Sequence, residues 1–309
     1  MADGRENREL FYYGIYGKKV VSELYFPQLV EILSLAEDEA DIIIQAGVIS
    51  DEIKAREGED YWEFGEKFSW LINPTCWFTV ENGRVITYEL RDAERVMSLR
   101  NYILGFGLSM LHLQRGEMAI HCSALAKDGK AILVAGTSGS GKSTTTAALL
   151  EKGFSLMADD VALVRVEEGK AICYPAFPYQ KLCRDVVEQG NYDMEKLLYI
   201  NEQKDKFLVP YEGEFDLEGK ELHSIFCLGK LKPDDELYMK EIVGINKLRA
   251  CVNNLFLRRL MDEERYSPLI GGKCLEIASK VKMYLIARPD GTDTLEARVD
   301  YILEQVGNS

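Results

Sequence analysis

The chain has 309 residues, of which 47% are hydrophobic, so it is long enough for two domains with apolar cores. Its 51 acidic residues outnumber its 37 lysines and arginines, which gives a formal net charge of -14. This charge repels nucleic-acid phosphates and anionic membranes unless a basic patch overrides it, and the longest basic runs here are pairs. The composition therefore argues against binding to nucleic acid or to a membrane.

The seven cysteines and the N-terminal residues indicate the compartment. No CxxC pair occurs, and an odd number of cysteines favours reduced thiols over a disulfide framework. The first ten residues are polar and acidic where a secretory signal would be basic and then apolar, and no apolar run approaches 18 residues. We therefore expect a cytoplasmic protein.

The first 92 residues are dominated by patterns typical of β-strands. Apolar and aromatic residues form short runs at 10–16, 41–47, 68–72 and 76–80. The last run is followed by Asn82-Gly83, a dipeptide favoured in two-residue hairpin turns, and by a returning strand at 84–90. These patterns predict a small, antiparallel, β-rich N-terminal module over residues 1–92.

The apolar period changes over residues 93–115. Val96, Leu99, Ile103, Phe106 and Met110 recur at steps of three and four, as on one face of an amphipathic helix. Beyond Arg115, short apolar strands at 118–125, 131–135 and 154–158 alternate with a helical segment at 144–152, which is typical of α/β folds. We predict a linking helix at 93–115 and an α/β domain over 116–309.

The segment from Gly136 to Ser143 reads GTSGSGKS and fits the P-loop pattern G-x-x-x-x-G-K-[ST] between a buried strand and a helix. Its glycines allow backbone N–H groups to approach a triphosphate where a Cβ would collide. Lys142 would bind the β- and γ-phosphates, and the Ser143 hydroxyl would take one Mg²⁺ position. The predicted nucleotide contacts are Gly136, Thr137, Ser138, Gly139, Ser140, Gly141, Lys142, Ser143 and Thr144.

Two adjacent carboxylates, Asp159 and Asp160, follow the apolar strand at 154–158. In P-loop proteins a carboxylate in this place holds Mg²⁺ directly or through water. A second carboxylate allows a division of roles, in which Asp159 binds the metal and Asp160 accepts the proton of an attacking hydroxyl. An exposed Asp-Asp turn is the alternative.

Three runs together resemble the nucleotide-binding domain of bacterial HPr kinase/phosphorylase and its stand-alone relatives: HCSAL from His121, the P-loop segment, and GFSLMADD ending at Asp160. His121 lies 21 residues before Lys142, and Asp160 lies 18 residues after it, which are the offsets of that family. The resemblance covers residues 116–165 well and the remainder in outline.

This resemblance implies an α/β P-loop domain of the type related to phosphoenolpyruvate carboxykinase, preceded by the small β-rich domain. It also implies phosphorylation of a serine hydroxyl with ATP and Mg²⁺. Lys142 would bind phosphate, Ser143 and Asp159 would bind Mg²⁺, and Asp160 would be a general base that can also act in the reverse direction. His121 would steer the charge of Asp160 or contact phosphate; a purely structural histidine is the alternative.

The chain departs from the HPr enzymes in one respect. Their later run Glu-Ile-Arg-Gly-Leu-Gly, which shapes the binding of the protein substrate, does not occur downstream of Asp160. HPr is therefore a doubtful acceptor. The order of β-rich module, helix and His-x-Ser-Ala strand is instead similar to relatives in peptide-tailoring systems, including the kinases associated with lasso peptides.

Further cations are candidates for acceptor or phosphate contacts. Lys181 and Lys206 lie in a segment rich in prolines and cations between residues 174 and 206, which is either an acceptor-binding segment or a solvated loop and helix face. Arg259, in the pair with Arg258, could reach the γ-phosphate or lie on a helix surface.

The sequence as a whole predicts an ATP- and Mg²⁺-dependent kinase that phosphorylates a serine or similar hydroxyl on a peptide or small protein. A kinase for the hydroxyl of an amino acid or sugar is one alternative, because a P-loop fixes the donor and not the acceptor. A nucleotide-gated binding protein without phosphotransfer is another. The resemblance further implies a homo-oligomer.

Overall fold

The structure is a computed structural model that describes residues 9–58, 61–190, 192–201, 205–260 and 268–307. Clustering of the chain's internal contacts divides it into two compact units, Met1–Arg115 and Gly116–Ser309. Both units combine helices with extensive β-structure, so the protein is a mixed α/β protein with a β-rich N-terminal region. Among the described residues, no helix has the length and apolar character needed to cross a membrane.

The first unit is built on an eight-stranded sheet of its described residues, ordered β3-β1-β2-β4-β8-β7-β6-β5. The strands are β1 (Phe11–Ile15), β2 (Lys18–Ser22), β3 (Val30–Glu31), β4 (Ile42–Ala46), β5 (Trp62–Glu63), β6 (Phe68–Ile72), β7 (Cys76–Glu81) and β8 (Val85–Leu90). The predicted hairpin at Asn82-Gly83 joins β7 and β8, with Glu81 opposite Val85.

The expectation of a purely antiparallel module is wrong. Strands β2, β4 and β8 run parallel to one another in the middle of the sheet, and antiparallel pairs flank them. The physical reason is the connection between β4 and β8: the strands β5, β6 and β7 and the helix α1 (Asp51–Lys54) intervene, which is enough chain to bring β8 back in the same direction.

The predicted helix over 93–115 is present as a nearly continuous stretch. It consists of α2 (Val96–Tyr102), a π-helical segment (Ile103–Gly107) and α3 (Leu108–Gln114), and it belongs to the first unit. Gly107 lies against the sheet, because a Cβ there would come within 3.3 Å of the Ile86 side chain. Gln114 donates from its amide nitrogen to the carbonyl oxygen of Val80 at 3.1 Å, which joins the end of α3 to β7.

The second unit contains a nine-stranded and a three-stranded sheet of described residues. Its strands are β9 (Met118–Ile120), β10 (Cys122–Lys127), β11 (Lys130–Gly136), β12 (Ser155–Ala158), β13 (Ala162–Glu167), β14 (Lys170–Tyr174), β15 (Tyr179–Cys183), β16 (Leu198–Asn201), β17 (Lys206–Pro210), β18 (Lys220–Leu231), β19 (Tyr238–Glu241) and β20 (Lys282–Pro289). Its helices are α4 (Lys142–Glu151), α5 (Arg184–Gln189), α6 (Ile245–Asn253), α7 (Pro268–Lys280) and α8 (Leu295–Gly307).

The larger sheet curls on itself. Its path is β12-β10-β11-β18-β14-β13-β9, with β20 also pairing β18 and with β19 beside β20. One residue, His121, connects β9 at one end of this path to β10 near the other end, so the two margins must approach each other. The single strand predicted at 118–125 is therefore wrong, because β9 pairs with β13 while β10 pairs with β11 and β12.

A buried apolar core fixes the centre of this unit. Strands β11, β18 and β20 run parallel there, and the helices α4 and α8 pack together beside them. Leu149 of α4, Val299 and Ile302 of α8, and Val134 and Ile286 of the sheet belong to one buried cluster. This packing sets the start of α4 at the carboxyl end of β11, where the candidate site lies.

Candidate active site

The segment from β11 to α4 forms a tight loop that the sequence predicts to be a phosphate-binding loop. Gly136, Gly139 and Gly141 all have positive φ, and α4 begins directly after Gly141. A Cβ on Gly136 would lie 2.6 Å from the carbonyl oxygen of Leu228, and one on Gly141 would lie 2.6 Å from the Arg298 guanidinium. The Leu228 carbonyl is backbone and cannot move aside for a side chain at Gly136, and the φ values of 146° and 99° at Gly136 and Gly141 are strained for any residue with a Cβ, so the geometry favours glycine at both positions.

The predicted nucleotide contacts differ in their exposure. Thr137, Ser138, Gly139 and Thr144 are exposed, Gly136, Gly141, Lys142 and Ser143 are half-buried, and Ser140 is fully buried. The N-terminus of α4, with its unpaired N–H groups and positive dipole end, opens beside this loop. The arrangement is suited to an anion.

Lys142 lies at the first position of α4 and turns back over the loop. Its Nζ donates to the carbonyl oxygen of Gly136 at 2.7 Å and lies 3.5 Å from Nε2 of His121. Burial lowers the pKa of Lys142, although the charges of Asp160 and Asp159 oppose that effect. The ammonium group is thus held between the loop and the two aspartates.

His121 occupies the break between β9 and β10, and its backbone N–H donates to the carbonyl oxygen of Asn254 at 2.7 Å. The ring places Nδ1 2.9 Å from the carbonyl oxygen of Asp160, so Nδ1 must carry a proton and donate it. Burial lowers the pKa of His121, Asp160 opposes this, and Lys142 adds to it. In its neutral form, His121 presents the Nε2 lone pair towards Lys142.

Asp160, two residues after the end of β12, has a left-handed backbone with φ of 78°. This conformation is uncommon for residues other than glycine, and it is often associated with functional sites. Its carboxylate accepts a hydrogen bond from Lys181 Nζ at 2.8 Å and lies 3.5 Å from Nδ1 of His121. Burial would raise the pKa of Asp160, but Lys181, His121 and Lys206 outweigh it and hold the pKa well below its ordinary value.

Asp159 faces different partners from its neighbour. One carboxylate oxygen accepts from the Ser123 hydroxyl at 2.7 Å, and the other accepts from the backbone N–H of Lys181 at 2.8 Å. Each carboxylate oxygen has two lone-pair directions, so these two bonds orient the group and leave acceptor capacity for a cation. The donor set of Asp159 and the Ser143 hydroxyl therefore fits Mg²⁺, which prefers oxygen ligands.

A metal site made wholly of protein side chains is a separate possibility. Within the described ranges, no three His, Cys, Asp or Glu side chains come together as such a group. A P-loop magnesium ion has a different coordination shell, in which phosphate oxygens and water accompany one or two protein ligands.

Lys181 and Lys206 lie in the three-stranded sheet β15-β17-β16, where the sequence suggested a loop and helix face. On β15 the side chains alternate, so that Leu182 packs into a small apolar core with Phe207 while Lys181 faces Asp160. The Lys181 side chain is only 13% exposed. The positive charge of Lys206, on β17, lowers the pKa of both Asp160 and Lys142.

Arg259 is the remaining cation that the sequence offers for a phosphate contact. Its backbone belongs to a 3₁₀ turn at Phe256–Leu260, and its side chain lies outside the described residues. The neighbouring Phe256 ring lies 5.9 Å from the His121 ring, centroid to centroid, so this turn borders the site.

Sequence reasoning missed several polar residues around the site. Ser123 could have been predicted as a site residue, because it lies two residues after His121 in the run that carries the resemblance. Arg288 and Arg298 had no local signal, because they reach the loop from β20 and α8, about 150 residues further along the chain.

Comparisons with known proteins add a weak likeness to a solved structure. No family model matches this chain, and no curated protein matches it. Among solved structures, it is similar to the Hpr(Ser) kinase/phosphatase from Coxiella burnetii, with a TM-score of 0.31 and 15% sequence identity. The match covers 62% of this chain and 94% of that chain. A likeness at this level assigns no role to any residue here, so any role must be inferred from the geometry of the site itself.

Proposed function

We propose that this protein is a phosphotransferase that uses a nucleoside triphosphate, with ATP as the expected donor, and transfers the γ-phosphoryl group to a hydroxyl. The observation that carries the proposal is the convergence of Lys142, His121 and Asp160 beside a glycine loop at a helix N-terminus. A loop of this kind by itself would support only nucleotide binding. The buried carboxylate next to it provides a group that can act on an acceptor.

The triphosphate would lie on the loop, with backbone N–H groups and Lys142 around its phosphates. Lys142 now donates to the Gly136 carbonyl, and a bound phosphate would replace that weaker neutral acceptor. Ser143 and Asp159 would hold Mg²⁺, which neutralises charge on the phosphates when it is bound. Ser123 and the N–H of Lys181 keep the Asp159 carboxylate in one orientation.

Asp160 is the proposed base. The low pKa keeps it anionic at neutral pH, so it can accept a hydrogen bond from the acceptor hydroxyl and fix the direction of attack. As the new O–P bond forms, the bond from the γ-phosphorus to its bridging oxygen breaks, and that electron pair leaves with the nucleoside diphosphate. The hydroxyl proton passes to Asp160. A strong base is unnecessary, because the transition state for phosphoryl transfer is loose.

The acceptor that we propose is a serine or similar hydroxyl on a peptide or small protein. Lys181 and Lys206 lie on their own small sheet, Lys181 is hydrogen-bonded to the base, and both could contact that acceptor. The test is incubation of the full chain with γ-labelled ATP, Mg²⁺ and three acceptor classes: serine-containing peptides, free serine and simple sugars. Label in peptide supports the proposal, and label in a small molecule assigns a small-molecule kinase instead. Tight ATP binding without transfer to any of them would favour a nucleotide-gated binding protein.

A further inference from the structure

The carbonyl side of the loop is bound by an arginine that the proposed chemistry does not use. Arg288 donates from Nη2 to the carbonyl oxygen of Gly139 at 2.9 Å and from Nε to that of Ser140 at 3.1 Å. Two consecutive peptide carbonyls are thus held by one guanidinium group, whose donors have a fixed spacing. The Arg288 side chain is 15% exposed.

Strand register explains why this cation reaches the loop. β11 ends at Gly136, opposite Leu228 of β18, whereas β18 and β20 continue together as far as Leu231 and Pro289. Their last residues therefore extend past the beginning of the loop. Arg288 lies at this extension, directly opposite Lys230 in the parallel register.

A carboxylate accompanies the two cations. Asp290 forms an ion pair with Lys230 at 3.1 Å and lies 3.8 Å from Arg288. Its pKa is lowered, with the hydrogen bond from Lys230 as the largest cause. Asp290 thus offsets part of the positive charge, while Arg288 keeps its two hydrogen bonds to the loop carbonyls.

A second arginine supports the same loop from α8. Arg298 is 4% exposed and donates from Nη1 to the Thr145 hydroxyl of α4 at 2.9 Å. The same guanidinium lies 2.6 Å from the place that a Cβ on Gly141 would occupy, and Arg288 Nε is 3.5 Å from that point. The loop is therefore packed against two guanidinium groups on one side.

We infer that Arg288 is a positioning residue that holds the loop in its phosphate-binding conformation before the nucleotide arrives. This inference rests on the proposed function. Because a peptide group is planar and trans, fixing the Ser140 carbonyl directs the N–H of Gly141 to the opposite side. Fixing the Gly139 carbonyl steadies the turn in which Ser140 N–H donates to Thr137 at 3.1 Å. Arg288 thereby lowers the entropic cost of ordering the loop when phosphate binds.

The test measures binding of ATP with Mg²⁺, of inorganic tripolyphosphate and of adenosine by titration calorimetry on the full chain. We expect Arg288→Ala to weaken tripolyphosphate and ATP binding by about 10- to 100-fold, the range for lost charged hydrogen bonds. Adenosine affinity should not change. Millimolar guanidinium ion should restore part of the lost affinity, because it replaces the missing fork.

Arg91→Ala is the matched control. Arg91 also donates to a backbone carbonyl, that of Asn73 at 2.9 Å, and pairs with Glu57, but it belongs to the first unit. Its loss should leave phosphate affinity unchanged, with or without guanidinium. Arg288→Lys keeps the charge and loses the forked pair of donors, so its phosphate affinity should lie between those of wild type and Arg288→Ala. It replaces the alanine variant in the test if that variant does not fold.

Three results would overturn the inference, and they can be told apart. If the wild-type chain binds tripolyphosphate and both Arg288 variants bind it equally well, Arg288 does not position the loop and the proposed function stands. If the wild-type chain binds neither ATP nor tripolyphosphate, the proposed function fails as well. A loss of affinity without any rescue by guanidinium would assign Arg288 a general structural role and would also overturn the inference.

Discussion

The two units of this protein place their charged groups differently. In the first unit, ion pairs such as Lys54 with Glu89 lie at partly exposed positions, and each side chain is about a quarter exposed. In the second unit, Lys142, His121 and Asp160 meet at one end of a curled sheet, and all three have shifted pKa values. Exposure does not distinguish the two, because the His121 and Asp160 side chains are themselves 33% and 20% exposed. The difference is that Lys54 and Glu89 form a pair, whereas Asp160 is contacted by both Lys181 and His121, and His121 in turn lies next to Lys142.

This contrast indicates what each unit is built for. The charges of the first unit anchor loops and cover aromatic rings; Lys54 and Arg91, for example, both lie over the Trp77 ring. The cluster of the second unit instead brings together three groups whose pKa values are all lowered, and clustered groups with shifted pKa values are typical of catalytic sites. Substitutions in the second unit should therefore change chemistry, and equivalent ones in the first unit should change only stability.

The largest effect is expected for Asp160→Asn. The amide cannot accept the hydroxyl proton, so the rate of transfer should fall by about 10²- to 10⁴-fold, the usual range for general base catalysis. ATP affinity should change little, because Asp160 does not contact the loop. Transfer of labelled phosphate and ATP titration measure the two quantities. Glu89→Gln in the first unit is the same chemical change and should leave both unaltered; a comparable transfer rate in Asp160→Asn would remove Asp160 as the base.

Next comes Lys142→Met, which removes the cation at the start of α4. Binding of ATP should weaken by about 10- to 100-fold, because charged hydrogen bonds to phosphate are lost, while adenosine binding stays the same. The exposed Lys170, paired with Glu221 at 2.6 Å, provides a matched control as Lys170→Met. Equal ATP affinity in wild type and Lys142→Met would contradict the assignment of the loop.

A smaller, pH-dependent effect is expected for Lys181→Gln. Lys181 is the main partner that lowers the pKa of Asp160 against the effect of burial. Without it the pKa of Asp160 should rise, so the carboxylate becomes protonated at a higher pH. The acidic limb of the profile of kcat/KM against pH should therefore move upward, with a smaller loss of rate near pH 8. An unchanged acidic limb would show that the Asp160 charge does not limit the reaction.

Local patterns were enough to predict part of this architecture. The strand before Gly136, the helix after Gly141 and the hairpin at Asn82-Gly83 each depend on a short stretch of chain, and each is present in the structure. The carboxylates at Asp159 and Asp160 could be placed next to the loop because they follow a strand of the same sheet.

The remaining features depend on pairings between distant segments. The break at His121 exists because β9 and β10 join different strands, which the continuous apolar pattern at 118–125 does not show. The position of Lys181 depends on a sheet formed with a strand that begins at Lys206. Arg288 reaches the loop only through the register of β18 and β20, and no residue near it in the sequence indicates that.

The smallest effect is expected for Glu89→Gln in the first unit. Its carboxylate accepts from Lys54 at 2.7 Å and from the N–H of Ile49 at 2.7 Å, and the pKa of Glu89 is lowered because these bonds outweigh burial. Gln keeps an acceptor for one of them, so the free energy of unfolding should fall by about 0.2–1 kcal/mol at pH 7. A lowered pKa stabilises the fold above the ordinary value of 4.5 and loses that contribution as the pH falls through the folded-state pKa. Denaturant unfolding of both proteins should accordingly show a difference that shrinks below pH 4.5, and a difference independent of pH would show that the pair contributes nothing through charge.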